Sequence, residues 1–245
     1  MDVADLPPGY TEWPAPAALR DSVDCLWAQV ADGDRSGLVL PDACTDLIWE
    51  PGRGAHVAGP DTGPVPVRLA AGTVMIGVRF RPSAGGPALG IPLSELRDQR
   101  VSLADLRPAD ARRLPADLDP AAALARSLAV TAGLVDSAQP DPAVARAARL
   151  LRDPQARAED VAAEVGLSLR QLRRRCHAVV GYGPKTLQRV LRFRRFLSHL
   201  ESGPDVLDLA AIAAETGYAD QAHLTRECGK LSGLTPATLA RQREP

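Results

Sequence analysis

Nine lysine and arginine side chains lie between residues 165 and 200, and no acidic residue lies among them. A solvated helix face normally mixes both signs of charge, so this run is the strongest electrostatic signal in the sequence. Basic side chains at this density can neutralise phosphates, and an arginine can also bond to guanine through two hydrogen bonds. The chemistry that these residues could do is therefore the binding of nucleic acid.

The charge of the chain is divided between its two halves. Residues 1–141 carry 12 Lys and Arg against 19 Asp and Glu, a net charge of −7, whereas residues 142–245 carry 17 against 11, a net charge of +6. Halves of opposite sign predict two domains, of which the basic one faces a polyanion. We expect them at 1–138 and 139–245, because Gln139-Pro140-Asp141-Pro142 is typical of a linker that runs into a helix N-terminus.

Composition excludes several classes of protein. Of the 245 residues, 45% are apolar and 24% charged, as in globular proteins. No apolar run approaches the ~20 residues of a membrane helix, and the first residues are acidic where a signal peptide is basic, so we expect a cytoplasmic protein. Cys25, Cys44, Cys176 and Cys228 are too scattered for a zinc site. No catalytic triad or nucleotide-binding loop is recognisable, so we expect neither an enzyme nor a cofactor.

The acidic half is predicted to be a mainly antiparallel β domain, a small barrel or sandwich, followed by a helical tail. Short β-branched segments alternate there with Pro- and Gly-containing turns. The predicted strands are Ser36–Leu40, Thr45–Glu50, Ala55–Ala58, Val65–Leu69 and Thr73–Arg81, and the mostly helical tail runs from Leu89 to Val135. With an all-α second half, the fold class is α+β.

The basic half is predicted to be helical throughout. Ser168 and Gln171 have the spacing of a capping box, and Pro184 and Pro236 each suit the first position of a helix. The predicted helices span roughly 142–152, 158–165, 168–180, 184–201, 206–216, 220–230 and 236–242.

Two stretches of the basic half repeat each other. Val161–Ser168 matches Ile212–Ala219 at an offset of 51, and after a one-residue insertion six further positions match at 52. Each copy has an Ala-rich helix, a glycine at the turn and a second helix, which is the pattern of a helix-turn-helix unit. The units are expected at about 158–180 and 206–230, joined by a linker helix at 184–201.

One face of each second helix suits a DNA major groove, where Arg can pair with guanine and Gln with adenine. At ~100° per residue, the exposed residues of the first unit are Arg170, Arg173, Arg174 and His177, and those of the second are Gln221, Ala222, Thr225 and Arg226. The polar face of the linker helix is predicted to touch phosphates through Gln188, Arg192, Arg195 and His199. Arg194 falls within the apolar stripe of that helix, so we expect it to pair with a buried carboxylate. The alternative for all these residues is a solvated helix face.

The segment from about 142 to 242 resembles the DNA-binding module of the AraC/XylS family. The resemblance rests on the second copy, Ile212-Ala-x-x-x-Gly217-Tyr218-x-Asp220-Gln221-x-His223-Leu224-x-Arg226, followed by Gly233-Leu-Thr-Pro236. It implies transcription regulation, two units that read successive major-groove segments, and an N-terminal sensing or dimerising domain. Cys176 and Cys228 stand where the family more often has Phe, and we interpret both as small core residues.

The acidic half resembles a poorly characterised domain that is often found ahead of this module, and the resemblance implies no ligand. Four segments carry it: Asp24-Cys25-Leu26-Trp27, Pro41-Asp42-x-Cys44-x-Asp46-Leu-Ile-Trp49, Gly59-Pro60-Asp61-Thr62 and Gly77-Val-Arg79-Phe-Arg81-Pro82. Strand alternation places several of their polar side chains on shared faces. The candidate ligand-binding residues are Trp27, Asp42, Cys44, Asp46, Trp49, Arg79 and Arg81. The alternatives are ion pairs between strands and, for the two tryptophans, core packing; a metal site lacks a diagnostic spacing.

The sequence thus predicts a sequence-specific DNA-binding transcription regulator that is controlled by a ligand or partner on its N-terminal half. The partner we expect is double-stranded DNA; RNA polymerase, a small-molecule effector and a second copy of the chain are further candidates, and a membrane is not. One alternative is an architectural or partner-docking protein without a small-molecule ligand. Another is a DNA-alkyl-repair regulator, which would need clustered N-terminal cysteines where only Cys25 and Cys44 occur.

Overall fold

The computed structural model describes residues 7–202 and 208–242. Six strands of the N-terminal half form one sheet in the order β1-β2-β7-β4-β5-β8, and every neighbouring pair in it is antiparallel. A separate ribbon pairs β3 with β6. The strands are β1 Gly9–Pro14, β2 Val23–Val30, β3 Arg35–Val39, β4 Thr45–Glu50, β5 Gly54–Ala58, β6 Val65–Leu69, β7 Val74–Phe80 and β8 Arg100–Ser102. The predicted antiparallel β domain is confirmed.

The five predicted strands are present with ends within about one residue, whereas β1, β2 and β8 are additional. Helix α1 Gly85–Leu89 ends where the predicted helical tail begins, and the tail itself contains α2 Leu103–Leu106, α3 Pro108–Ala111 and α4 Pro120–Asp136. The prediction of a mostly helical tail was wrong at residues 100–102, because β8 pairs there with β5 and continues the sheet.

Both faces of the six-stranded sheet are covered. One face carries the main core of the N-terminal half, where Trp49 and Phe80 are completely buried beneath α4. The opposite face carries a smaller cluster around Trp27 and Ile48. Because β2 is buried on both sides, its sequence lacks the alternation that marks a half-exposed strand. That is why the sequence pattern did not reveal it.

Gly77 in β7 is required by the indole of Trp27. The two residues are register partners across β2 and β7, and a Cβ built on Gly77 would lie 1.9 Å from the Trp27 ring. No side chain larger than hydrogen fits between the strand and the ring. The indole therefore lies directly on the backbone of β7, with its Nε1 donating to Asp46 Oδ1 at 2.7 Å.

The C-terminal half consists of seven helices within the described residues. They are α5 Pro142–Leu150, α6 Ala158–Glu164, α7 Leu169–Val180, α8 Pro184–Glu201, α9 Leu209–Thr216, α10 Gln221–Ser232 and α11 Pro236–Arg241. They match the seven predicted helices, except that residues 206 and 207 of the predicted fifth helix lie outside the described residues. Cys176 and Cys228 have no exposed surface and belong to the shared core, which confirms their interpretation as core residues. No described helix is long and apolar enough to cross a bilayer.

The two halves pack against each other through α1 and α7. A Cβ on Gly86 would lie 3.1 Å from the carbonyl oxygen of Val179, so the backbones of these helices approach closely. Ala43, which has a φ of +68°, is buried in the hydrophobic cluster of the C-terminal half. The apolar cores of the two halves therefore meet at these contacts.

A buried histidine makes the stability of this fold depend on pH. His56 in β5 is 5% exposed, and its Nδ1 has no hydrogen-bond partner among the described residues. Burial, reinforced by the charges of Arg53 and Arg100, lowers the pKa of His56 to about 4. The folded-state pKa lies below the unfolded value, so the neutral imidazole contributes stability above pH ~6.5 that is lost as the pH falls towards 4.

We predict that wild-type protein loses up to about 3 kcal/mol more unfolding free energy than His56→Gln between pH 6.5 and pH 4, since one pKa unit corresponds to about 1.4 kcal/mol. Urea denaturation at a series of pH values measures this difference directly. Carboxylates that titrate in the same pH range affect the unfolding free energy of both proteins equally, so their contribution cancels in the comparison. Parallel pH profiles for the two proteins would contradict the prediction.

Candidate nucleic-acid interface

The first helix-turn-helix unit consists of α6 and α7. Gly166 occupies the turn with a φ of +72°, a conformation that glycine adopts without strain. Leu167 N then donates to Ala162 O at 2.9 Å and closes the turn. The predicted capping box is confirmed, because Gln171 N donates to Ser168 Oγ at 3.2 Å and Ser168 N donates to Gln171 Oε1 at 2.8 Å.

The second unit, α9 and α10, repeats this geometry. Gly217 has a φ of +87°, and Tyr218 N donates to Ala213 O at 2.8 Å, the counterpart of the bond that closes the first turn. A Cβ on Gly217 would lie 2.1 Å from Pro154, so both the turn and the packing require glycine. Asp220 caps α10 by accepting from His223 N at 2.6 Å.

The eight residues predicted to face DNA all lie on exposed helix surfaces. On α7 they are Arg170, Arg173, Arg174 and His177, and on α10 they are Gln221, Ala222, Thr225 and Arg226. The opposite faces are buried through Leu172, Cys176 and Val180 on α7 and through Leu224, Cys228 and Leu231 on α10. Within residues 7–202 and 208–242, none of the four arginine side chains has a hydrogen-bond or ion-pair partner. The surface is therefore available to an external anion.

The polar face of α8 is used inside the protein. Gln188, Arg192 and Arg195 donate to backbone carbonyls of the turn that follows α5. The contacts are Gln188 Nε2 to Ala156 O at 2.7 Å, Arg192 Nη2 to Pro154 O at 3.3 Å and Arg195 Nη2 to Arg152 O at 2.7 Å. These side chains therefore satisfy backbone carbonyls of the turn, which has no helical hydrogen bonds of its own to fill them. Their contact with phosphates stays a prediction.

Two further contacts connect α8 to the second unit. Arg189 Nε donates to Glu227 Oε2 of α10 at 2.6 Å, and Lys230 donates to the other oxygen at 2.9 Å. Burial acts to raise the pKa of Glu227, but these hydrogen bonds outweigh it and the pKa is lowered. His199 lies 3.6 Å from Glu215 of α9. Arg189 and Glu227 are 38 positions apart, so no spacing in the sequence indicates that they pair.

Four of the candidate ligand-binding residues form one cluster on the Trp27 face of the sheet. Arg79 Nε lies 3.2 Å from both Asp42 Oδ2 and Asp46 Oδ1, and its Nη1 lies 2.8 Å from Glu12 Oε1. Burial raises the pKa of Asp46 to about 6, against the lowering effect of Arg79. The polar groups therefore pair with one another across strands, which is the ion-pair alternative.

The other three candidates lie apart from that cluster or at its margin. The prediction that Trp49 binds a ligand is corrected. Trp49 lies in the main core on the opposite face of the sheet, and its Nε1 donates to Pro115 O at 2.8 Å. Arg81 pairs with Asp24 at 2.9 Å. Cys44 is buried beside Arg194 of α8, at 3.7 Å from Sγ to Nη1.

The two N-terminal thiols are held in the protonated form. Burial raises the pKa of Cys25 to about 12 and raises the pKa of Cys44 well above its ordinary value. A protonated thiol is a weak nucleophile and a weak metal ligand. In the described ranges, no group of three His, Cys, Asp or Glu side chains is placed to hold a metal ion.

Arg194 connects the linker helix of the C-terminal half to the N-terminal sheet. Its Nη2 lies 3.4 Å from Asp24 Oδ2, and its Nη1 donates to the carbonyl of Asp42 at 3.4 Å. Arg194 pairs with a carboxylate, as predicted, but Asp24 is partly exposed and not fully buried. The carboxylate comes from the other half of the chain, so the pair joins the two halves.

Two family models match separate parts of the chain. A family model described as a helix-turn-helix domain matches residues 161–242, and one described as a domain of unknown function (DUF6597) matches residues 11–102. Residues 161–242 therefore carry an AraC-type helix-turn-helix domain, which indicates DNA-binding transcription regulation.

The solved structures to which the chain is similar include ToxT from Vibrio cholerae. An apo ToxT variant is 12% identical, with 89% of this chain and 98% of that chain covered and a TM-score of 0.48. A second crystal form is 8% identical, with coverages of 95% and 98% and a TM-score of 0.47. ToxT with a bound unsaturated fatty acid is 11% identical, with coverages of 88% and 93% and a TM-score of 0.42. No curated protein matches the chain.

The Arg194 pair leads to a prediction about coupling between the two halves. A double-mutant cycle of Arg194→Met and Asp24→Asn, measured by urea denaturation, should give a coupling energy of about 0.5–1 kcal/mol, because the pair is half-buried and its charges are 3.4 Å apart.

The matched control is Arg189→Met on the same helix. Arg189 pairs with Glu227 inside the C-terminal half, so its effect should add to that of Asp24→Asn without coupling. Additive effects of the Arg194 and Asp24 substitutions would mean that the pair does not hold the halves together.

Proposed function

We propose that the chain is a sequence-specific transcription regulator in which α7 and α10 read two successive major-groove segments of one DNA site. The exposed face of α7 carries this proposal: Arg170, Arg173 and Arg174 all lie on it without protein partners in the described ranges. Three unpaired guanidinium groups on one helical face repel each other. Phosphates and guanine bases are the groups that would relieve this repulsion.

The linker helix supports simultaneous reading by both units. α8 has 18 residues and is therefore about 27 Å long at 1.5 Å per residue. With its flanking turns it approaches the ~34 Å that separates successive major-groove segments on one side of a duplex. α8 is also connected to the turn after α5 and to α10, which supports one fixed orientation of the two reading helices.

The proposal assigns control of DNA binding to residues 1–138 and DNA binding to residues 139–245. The apolar contacts favour this boundary, because the N-terminal core ends at Leu134 and the C-terminal core begins at Val144, apart from Ala43. An effector or a partner protein on the N-terminal half would act through the Arg194 pair and the α1–α7 contact. Contact with RNA polymerase and pairing with a second copy of the chain belong to the same proposal.

The proposal includes no enzymatic step. The protonated, buried Cys25 and Cys44 disfavour a DNA-alkyl-transfer reaction, which needs a thiolate nucleophile. A regulator that reads DNA in this way acts in the cytoplasm, where its target is.

We predict that Arg174→Ala and Arg226→Ala change base preference at different segments of the site, about one helical turn apart. Sites selected from a random-sequence library would first define the preferred duplex. Each substitution should then weaken binding to that duplex by about 1–3 kcal/mol and weaken binding to random-sequence DNA less, because a base contact is lost. Repeating the selection with each variant locates the segment at which preference is lost.

Arg149→Ala is the matched control, since Arg149 is exposed on α5 of the same domain and the charge change is identical. It should leave the selected sequence unchanged. If Arg174→Ala weakens binding to both duplexes equally, α7 only holds phosphates. If Arg226→Ala leaves the selected sequence unchanged, the second unit does not read bases.

A further inference from the structure

An open cleft of about 530 Å³ lies where the N-terminal half meets the first helix-turn-helix unit. Its walls come from α7, from the first turn of α8, and from residues 62 and 97–98 of the N-terminal half. The basic residues that line it are Arg97, Arg173, His177 and Lys185, and the acidic one is Asp98. The cleft is therefore predominantly basic, and both halves of the chain contribute to it.

The first turn of α8 adds backbone donors to the cleft. Gly183 is the N-cap residue and provides no side-chain cap, so the amides of Lys185 and Thr186 in the first turn lack the usual acceptor. The positive end of an 18-residue helix thus lies at the cleft. Backbone amides and a helix dipole in this arrangement favour an anion.

The carboxylate of Asp98, the acidic residue of the cleft, already has partners within the protein. Asp98 Oδ1 accepts from Thr62 N at 2.7 Å and from Thr62 Oγ1 at 3.0 Å, and Oδ2 lies 3.9 Å from Arg97 Nε. Arg173 and Lys185 have no partner among the described residues. Positive charge therefore remains uncompensated in the cleft.

We propose that this cleft binds a phosphate of the DNA backbone, and that Arg97 of the N-terminal half supplies part of that contact. The inference rests on the proposed function, since it needs the duplex to lie along α7. Arg173 and His177 belong both to the exposed face of α7 and to the cleft, so a duplex read by α7 brings its backbone to the cleft entrance. The N-terminal half is then part of the DNA interface, and any shift of it relative to α7 changes DNA affinity.

The test is the salt dependence of DNA binding by the full chain carrying Arg97→Ala. The probe is a random-sequence duplex of about 30 base pairs, or roughly three helical turns. Fluorescence anisotropy at several salt concentrations should show affinity reduced about threefold to tenfold at low salt. The slope of log affinity against log salt should become shallower by about 0.9, the value for one phosphate contact. Lys185→Ala should make the slope shallower in the same way. Arg97→Lys should retain most of the wild-type affinity and slope.

Arg112→Ala is the matched control, because Arg112 is an exposed arginine of the N-terminal half that does not line the cleft. It should bind as the wild type does. The inference is overturned if Arg97→Ala leaves affinity and slope unchanged while the wild type binds in a salt-dependent manner. It is also overturned if Arg112→Ala causes the same loss, since the effect would then be long-range charge. A wild-type chain without salt-dependent binding would instead overturn the proposed function.

Discussion

Burial of one side of α8 is the interaction on which the rest of the C-terminal half depends. Seven large side chains of this helix are buried, namely Leu187, Val190, Leu191, Phe193, Phe196, Leu197 and Leu200. Each contributes about 1.5–3 kcal/mol relative to an exposed position. Because α7, α9 and α10 all pack on α8, the same apolar surface stabilises both helix-turn-helix units. Neither unit has a separate core, so their relative orientation is set by the packing that stabilises them.

The polar side chains of α8 favour the proposed DNA contact on α7 and α10 over one on α8. Arg195 and Gln188 hold the turn after α5, Arg189 holds Glu227 of α10, and Arg194 reaches the N-terminal sheet. A guanidinium that already donates to a carbonyl or carboxylate has fewer donors left for a phosphate. The basic character of α8 is thus largely structural, and it gives the N-terminal half a direct contact with the helix that both reading units share.

The sequence predicted the C-terminal half better than the N-terminal half, for a physical reason. Gly166, Ser168 and Gly217 act through local turn and capping geometry, which is encoded within a few residues of each position. By contrast, the predicted helical tail included residues 100–102. Strand β8 was missed there because it is short and pairs with β5, which is distant in the sequence. Trp27 and Asp46 are 19 positions apart, and only the sheet register brings them together. Strand alternation placed Asp42 with Asp46 on one face and Arg79 with Arg81 on one face, but it could not show that Asp46 and Arg79 pair with each other across strands.

The run of arginines on α7 shows that the sequence alone does not reveal which charged side chains are paired. Arg173, Arg174 and Arg175 are consecutive and identical in type, yet Arg175 alone is paired within the described chain, through two contacts of 2.6 Å to Asp141. Asp141 also caps α5 by accepting from Val144 N, so Arg175 locks α5 to α7 and is structural. The partner lies 34 positions away, and helical periodicity cannot reveal it. Arg175 differs from its two neighbours in one respect: Asp141 lies beside it, whereas no carboxylate lies beside Arg173 or Arg174 in the described chain.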